Sequence, residues 1–393
     1  MLIKNISSSA CLSLLLLCTA CAGVDGDHPA QAPASSSIAS LRFIGEQRIP
    51  LDYPFKGSIV GGLSGIDYDP RTNSWVMESD DRSEVNPARF YSARLDYDSE
   101  GFHAVDLIGV TYFRQADGSL YPGVADFPQR GARRDGEVPD IESIRFDPQD
   151  GSIWYSSEGY RKLGMGPFVR QASRDGAYLA SLPLAPMFQI TTQQELGPRD
   201  NLSFEGLSFS PDGSYLWVGM EAPLYQDGPL ASVQSGAMAR VTKYTRSGKL
   251  LGQYAYPLDA IPVAPAGKYA DNGVSEILAI NDHQLLMLER AGVQNSQGVF
   301  KFYIRIYEMD VSEASDISGI ASLQGAAYQP AKKHLILNLN ESNLPYVDNL
   351  EGIAWGPRLA NGHDSLVLVS DNNFNATQVT QLLAFEVMPK QAH

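Results

Sequence analysis

Cysteine is nearly missing from this chain of 393 residues: Cys11, Cys18 and Cys21 are the only three. All three lie within the first 21 residues, so the rest of the chain has no disulfide, no thiol nucleophile and no cysteine-ligated zinc. Beyond this start the sequence also lacks an apolar run of about 18 residues, so no later segment is predicted to cross a membrane. The domain must therefore be held together by its own hydrophobic core.

Basic residues are scarce as well. The chain has 30 Lys and Arg residues against 45 Asp and Glu residues, a formal net charge of -15, so nucleic acid is not expected as a partner. An anionic small molecule would need a local basic patch or a bound cation. The sequence has no Gly-x-Ser-x-Gly elbow, no His-Glu-x-x-His and no Gly-Lys-Ser/Thr loop, which removes the signals of the corresponding hydrolases and nucleotide-binding proteins. We predict a monomer.

The first residues have the features of an export signal. Lys4 precedes a leucine-rich run that is too short to span a bilayer, and small residues precede Cys21 as in a bacterial lipoprotein box. We predict a signal peptide over 1–21 with lipidation at Cys21, an Ala/Pro/Ser tether over 22–40 and one domain over 41–393. The expected location is the periplasmic face of a Gram-negative outer membrane, with the lipid as the only membrane contact. Ordinary signal-peptidase cleavage at Ala20-x-Ala22 is the alternative.

A motif recurs five times at intervals of roughly 70 residues. The pattern is an apolar residue, Glu or Ser, a small residue, another apolar residue, any residue and an aromatic, then a Pro/Asp/Gly turn and a strand that ends in an acid; the copy that begins at Val274 is looser. The clearest copy runs from Phe204-Glu205-Gly206-Leu207 to Glu221, and the others begin near residues 63, 141, 274 and 350. Each copy is typical of a β-hairpin, and further strand-like runs lie between copies. The repetition predicts an all-β, single-domain β-propeller with six blades, within a range of five to seven.

Acidic residues stand at the open ends of these hairpins. Counting outward from each turn gives four pairs of acids: Glu205 with Glu221, Glu142 with Glu158, Glu276 with Glu289, and Glu351 with Asp371. The two acids of each pair are expected to lie close together, because cross-strand neighbours lie roughly 5 Å apart. In the first copy Ser64 replaces the opening acid, and Asp80 and Asp81 close it. If the hairpins surround one axis, all these carboxylates meet on one rim of the channel and need cations to offset their repulsion.

Two kinds of cation are available to this rim. Ca²⁺ suits a flexible cluster of oxygen ligands, and Arg82, Arg161 and Arg290 follow the closing acids closely enough to bind an anion. We predict Glu205 and Glu221 as catalytic residues that hold water and the three arginines as substrate ligands. The predicted metal ligands are Glu142, Glu158, Glu205, Glu276, Glu289, Glu351 and Asp371. The alternative is that each Glu accepts backbone N–H bonds from a neighbouring blade and that each Arg is its ion-pair partner.

The ordered set of motifs resembles the phytase-like family described as "esterase-like activity of phytase". The resemblance rests on Leu63-Ser64-Gly65-Ile66, Glu142-Ser143-Ile144, Asn201 to Leu207, Leu288-Glu289-Arg290, and Asp348 to Ile353 followed by Val369 to Phe374. It implies an exported propeller related to calcium-dependent alkaline phytases, with phosphoesterase or esterase activity. Clustered Lys and Arg residues for a polyphosphorylated substrate are missing from the motifs. Two hypotheses follow: a Ca²⁺-assisted hydrolase of a small anionic ester, or a propeller that binds a cation or ligand without turnover.

Overall fold

The computed structural model describes residues 38–127, 137–342, 344 and 346–390. The predicted signal peptide, the Cys21 lipidation site and the tether up to residue 37 lie outside these residues, whereas residues 38–40, predicted as the end of the tether, belong to the strand Ile38–Ile49. Regular structure in the described part is almost entirely β, with 22 strands and single turns of 3-10 helix at Arg161–Leu163, Pro186–Phe188, Tyr225–Asp227 and Leu339–Glu341. No helix among these residues has the length and apolar character needed to span a bilayer.

Twenty of the strands form five four-stranded antiparallel sheets. In chain order, the sheets contain β4 to β7 (Ile66–Asp69, Ser74–Ser79, Arg89–Tyr97, Phe102–Tyr112), β8 to β11 (Ile141–Phe146, Ile153–Ser157, Phe168–Ala172, Tyr178–Ser181), β12 to β15 (Phe204–Phe209, Tyr215–Met220, Ala237–Thr245, Leu250–Leu258), β16 to β19 (Gly273–Ala279, Gln284–Gln294, Phe300–Asp310, Lys332–Asn338) and β20 to β22 with β1 (Leu350–Trp355, Ser365–Ser370, Thr380–Pro389, Ile38–Ile49). The two remaining strands, β2 (Tyr53–Phe55) and β3 (Ser58–Val60), form a separate hairpin.

These sheets are the blades of a β-propeller, which confirms the predicted fold class. The recurring motif forms the first strand of each sheet, and these strands contact one another in a closed ring: β4, β8, β12, β16, β20 and again β4. The first strand of the chain, β1, completes the last blade by pairing with β22, with Phe43 opposite Phe385. The propeller is therefore closed by strands from both ends of the described chain.

The blade count is five and not the predicted six. The run Leu335 to Leu339 resembles a strand of a further blade in the sequence, but Leu335 to Asn338 belong to β19, which is the outer strand of the fourth blade and pairs with β18. Five motif copies therefore correspond to five blades, and every copy supplies one inner strand. The extra strand signal arises because a blade needs an outer strand as well as its motif hairpin.

The inner strands are buried on both faces, since neighbouring blades pack against them. Every residue of β8, β12 and β16 is buried, so these strands lack the apolar-polar alternation of a half-exposed sheet. Between blades three and four, Phe204, Leu207, Val274 and Ile277 belong to one hydrophobic cluster. Small polar residues in the motif therefore lie in the interior and must find partners there.

Arg145 fills the centre of the ring of inner strands. Its guanidinium donates hydrogen bonds to one backbone carbonyl in each of the five inner strands: Leu207 at 2.6 Å, Ile66 at 2.5 Å, Ile144 at 3.1 Å, and Ile277 and Ile353 at 3.2 Å. The same side chain pairs with Glu276 at 2.7 Å. The buried guanidinium of Arg145 thus satisfies carbonyl oxygens of the inner strands that converge at the centre of the ring.

Candidate functional site

A β-bulge sets the position of the opening acid in three blades. The pairing between the first two strands skips one residue at Glu142, at Glu205 and at Glu351. A bulged residue leaves the ladder, and its side chain is re-aimed away from the sheet. All three glutamates line the same pocket at one end of the channel. The repeated acid of the motif is therefore the extra residue of a repeated bulge.

The closing acids stand at the end of the second strand in four blades. Their backbone N–H groups donate to carbonyls that precede the inner strand, at 2.7 to 2.9 Å: Asp80 to Gly62, Glu158 to Asp140, Glu221 to Ser203 and Asp371 to Asn349. The fourth blade differs, because Arg290 lies opposite Gly273 at this level. Gly273 also leaves room for Glu221, whose Cγ would stand 2.5 Å from an added Cβ.

The two sets of acids converge on a pocket of about 400 Å³. Its lining contains seven carboxylates and two guanidinium groups among the described residues. They are Asp80, Glu142, Glu205, Glu221, Asp271, Glu351 and Asp371, with Arg82 and Arg290. Asn201, Asn349, Asn373, Asn375, Gln378, Gly292, Phe300 and Phe302 complete the lining. Acids from hairpins that are distant in the sequence thus lie together at one end of the channel, as the motif spacing predicts.

Two groups of three carboxylates have the spacing of metal ligands. Asp140, Glu142 and Glu158 each offer one oxygen within 4.8 Å of the others, and so do Glu158, Glu205 and Glu221. Glu158 belongs to both groups. One of its oxygens accepts the backbone N–H of Ser203, whereas Oε2 is buried without a hydrogen-bond partner. A buried, unpartnered carboxylate oxygen beside four other carboxylates fits a divalent cation coordinated by oxygen.

Burial and mutual repulsion raise the pKa values of these acids. Desolvation is the largest cause, and neighbouring carboxylates add to it, so that the pKa values of Glu142, Glu158 and Glu205 lie well above the ordinary range. Burial raises the pKa of Glu221 to about 8 despite the opposing charge of Arg290, and that of Asp140 to about 6 despite Arg82. In the absence of a cation the cluster therefore retains protons near neutral pH. A bound divalent cation would displace them.

The predicted anion-binding arginines divide into two kinds. Arg82 and Arg290 line the pocket. Arg82 pairs with Asp140 at 2.8 Å, and Arg290 lies 3.2 Å from Glu221 and 3.3 Å from Glu351.

Arg161 is not among the pocket-lining residues. Its guanidinium donates to the carbonyls of Thr191, Gln194, Leu196 and Pro198 at 2.6 to 3.1 Å. It therefore holds the loop around these residues in place.

Glu276 and Glu289, which were predicted as metal ligands, also lie elsewhere. In the fourth blade the bulged residue is Ser275, and Glu276 follows it at the position of a small residue in the other blades. Its carboxylate accepts from Ser143 Oγ at 2.6 Å and Leu207 N at 2.9 Å and pairs with Arg145.

Glu289 faces the opposite side of its strand from Arg290. It accepts from the Tyr256 hydroxyl at 2.7 Å, from Asn272 Nδ2 at 3.2 Å and from Lys333. Both residues stand one position nearer the turn than the acids of the other blades, because Ser275 is the bulged residue and Arg290 occupies the closing position.

Several residues of the pocket lining and of the carboxylate groups were not predicted. Asp140 stands two residues before Glu142, as Asn349 does before Glu351. The sequence contained this signal in the polar residue that precedes these two copies of the motif. Asp271, Phe300 and Phe302 reach the pocket from a loop and from the β17–β18 hairpin, for which the motif gave no guide. Asp81 is buried against Arg89 at 2.6 Å and stabilises the following turn.

The fold and the pocket define a five-bladed β-propeller with a carboxylate-rich site at one end of its channel. The family model described as "Phytase-like: Esterase-like activity of phytase" matches residues 58–374. The chain belongs to this phytase-like family, as the ordered motifs indicated. No curated protein shows significant sequence similarity to it.

Solved structures resemble the chain only distantly. The α-L-arabinofuranosidase PaAbf62A from Podospora anserina is 8% identical, with a TM-score of 0.39 and coverage of 91% of this chain and 99% of that one. An exo-1,5-α-L-arabinanase from a bovine ruminal metagenomic library is 9% identical, with a TM-score of 0.38 and coverage of 87% and 100%. A tail fibre of Staphylococcus aureus phage P68 is 11% identical, with a TM-score of 0.37. The alignment covers 87% of this chain and 52% of the tail fibre.

Proposed function

We propose that the protein is a Ca²⁺-assisted hydrolase of small anionic esters, with phosphoric esters as the first class to examine. The observation that carries this proposal is that two sets of three carboxylates, both containing Glu158, lie beside a pocket lined by Arg82 and Arg290. Membership of a phytase-like family supports ester hydrolysis as the reaction type. Phytate itself is disfavoured, because two arginines face seven carboxylates in the lining.

The acidic cluster fits Ca²⁺ on the chemistry of its donors. Asp140, Glu142, Glu158, Glu205 and Glu221 would hold the cation or cations through carboxylate oxygens, the donor type that Ca²⁺ prefers. Glu351 and Asp371 lie in the same lining and offer further oxygens. A bound divalent cation would supply an acidified water and offset negative charge on the ester.

The protein side chains would perform the remaining steps. Arg290, fixed by Glu221 and Glu351, and Arg82, fixed by Asp140, present guanidinium groups to the ester oxygens. The attacking water forms a bond to the phosphorus or carbonyl carbon and gives its proton to a carboxylate of the Glu205 and Glu221 pair. The bond to the alcohol oxygen breaks, and the alcohol leaves with a proton returned from the same pair.

Glu205→Gln tests the catalytic assignment. Hydrolysis of 4-nitrophenyl phosphate would be measured in Ca²⁺ and in chelator. We expect activity in Ca²⁺ only, and a loss of about 10²- to 10⁴-fold in the variant, as for removal of a general base. Glu308→Gln is the matched control, because Glu308 is a buried acid with an unpartnered oxygen outside the pocket lining. Equal activity of Glu205→Gln and Glu308→Gln would contradict the assignment.

A binding propeller without turnover is the second candidate. It is favoured by the ion pairs of Arg290, whose guanidinium already has three acidic neighbours, Glu221, Asp271 and Glu351, at 3.2 to 3.6 Å. A guanidinium occupied in this way is not free to bind the substrate. A cation that drew these carboxylates away would free the guanidinium for substrate. Thermal stabilisation by Ca²⁺ without hydrolysis across a panel of phosphoric and carboxylic esters would select this candidate instead.

We also propose that the protein is exported and anchored at the periplasmic face of a Gram-negative outer membrane through a lipid on Cys21. The leucine-rich start and the small residues before Cys21 support this location. Metabolic labelling with a palmitate analogue tests it: label on the wild type and none on Cys21→Ala is expected. Label-free, fully released wild-type protein would contradict it.

A further inference from the structure

One wall of the acidic pocket is apolar. Phe300 and Phe302 line it with stacked rings, whose centroids lie 6.1 Å apart and whose planes differ by 17°. Every other lining side chain among the described residues is charged or an amide, apart from Gly292, which has none. Such a flat apolar wall has no partner within a site built to bind cations and anions.

The β17–β18 hairpin places these rings beside Arg290. Phe302 pairs with Gly292 and Phe300 with Gln294, while Arg290 pairs with Ile304. Residues two apart on a strand project from the same face, about 7 Å from each other, so Arg290 and Gly292 face the same way. The rings therefore lie on the same face of the hairpin as the guanidinium that is proposed to bind the acid part of an ester, and they line the same pocket.

Gly292 leaves room for the rings to lie close over the strand. An added Cβ there would stand 3.1 Å from Asp271 Oδ1, 3.3 Å from Phe300 Cδ1 and 3.5 Å from Phe302 Cε1. Phe302 is buried in a hydrophobic cluster with Ile304, whereas Phe300 is 38% exposed at the pocket wall. The buried ring thus fixes the position of the exposed one.

We propose that Phe300, supported by Phe302, binds an aromatic or flat apolar group in the alcohol part of the substrate. The substrate class is then an anionic monoester with a ring-bearing leaving group, and not a polyanion. This inference rests on the proposed function of the same pocket. Offset stacking of one more ring on this pair is expected to strengthen binding about 2- to 12-fold.

Binding of non-hydrolysable phosphonates separates the ring from the anion. Isothermal titration in Ca²⁺ would compare phenylphosphonate with methylphosphonate on the wild type, Phe300→Ala and Phe300→Leu. We expect the affinity for phenylphosphonate to fall about 2- to 12-fold in both variants and the affinity for methylphosphonate to stay unchanged. Phe300→Leu keeps an apolar side chain and guards against a folding defect. Phe43→Ala is the matched control, because Phe43 is also 38% exposed and packs on Phe385, outside the pocket lining.

The outcomes separate this inference from the proposed function. Ring-dependent binding without any ester hydrolysis would support the inference and count against the enzyme. Calcium-dependent hydrolysis with equal loss, or no loss, for the two phosphonates in the Phe300 variants would overturn the inference alone. Failure of the wild type to bind either phosphonate would overturn both.

Discussion

Replacing Arg145 with methionine tests the centre of the fold. The substitution keeps much of the side-chain length and removes the donor shared by the five inner strands, leaving Glu276 buried without its 2.7 Å partner. Removing one member of a buried ion pair costs about 3 to 5 kcal/mol, because the remaining charge has lost its compensation. We expect the free energy of unfolding of Arg145→Met to fall by about that amount.

Urea unfolding followed by tryptophan fluorescence measures this change. Arg174→Met is the control, because Arg174 is 43% exposed on its side chain and its buried partner Asp69 keeps the hydrogen bonds from Arg71 and Thr72, so a loss of about 1 kcal/mol or less is expected. In a double-mutant cycle with Glu276→Gln, the double variant should lose at least about 1 kcal/mol less stability than the sum of the two single variants. A loss for Arg145→Met no larger than that for Arg174→Met would refute the reasoning.

Two further predictions concern the pocket. In chelator, stability should fall as pH rises from about 4.5 to 8, because the unfolded acids ionise at ordinary pKa values while burial raises the pKa values of Asp140 to about 6 and Glu221 to about 8. Melting temperatures across this range check it, and Ca²⁺ should flatten the slope; a rise in stability with pH in chelator would contradict it. Arg82→Met should raise KM about tenfold or more, whereas Arg161→Met should lower the melting temperature and leave KM unchanged, since Arg161 binds loop carbonyls. Equal effects on KM would be the contrary result.

Much of the fold follows from one repeated motif. The apolar and small residues of Phe204 to Leu207 and its four counterparts predict hairpins, and their repetition predicts a propeller. The number of blades did not follow, because an outer strand such as Lys332–Asn338 resembles the start of another blade. Pairing with β18 decides its membership, and pairing is a long-range property.

The candidate site was accessible to sequence reasoning where backbone register is regular. Glu142, Glu205 and Glu351 line the pocket together because the same bulge occurs in each of their three blades. Glu276 was misplaced by one residue, which in a strand reverses the face of the side chain. The central role of Arg145 had no local signal, since four of its five carbonyl acceptors belong to distant strands.

Calcium titration of the metal-free protein tests the central claim most directly. Isothermal titration at constant pH would compare the wild type with Glu158→Gln, which alters the one residue common to both carboxylate groups, and with Glu308→Gln as the control. The account predicts saturable Ca²⁺ binding by the wild type and the control, with proton release, and affinity at least about tenfold lower in Glu158→Gln. Absence of saturable binding in the wild type, or equal affinity in all three proteins, would contradict it.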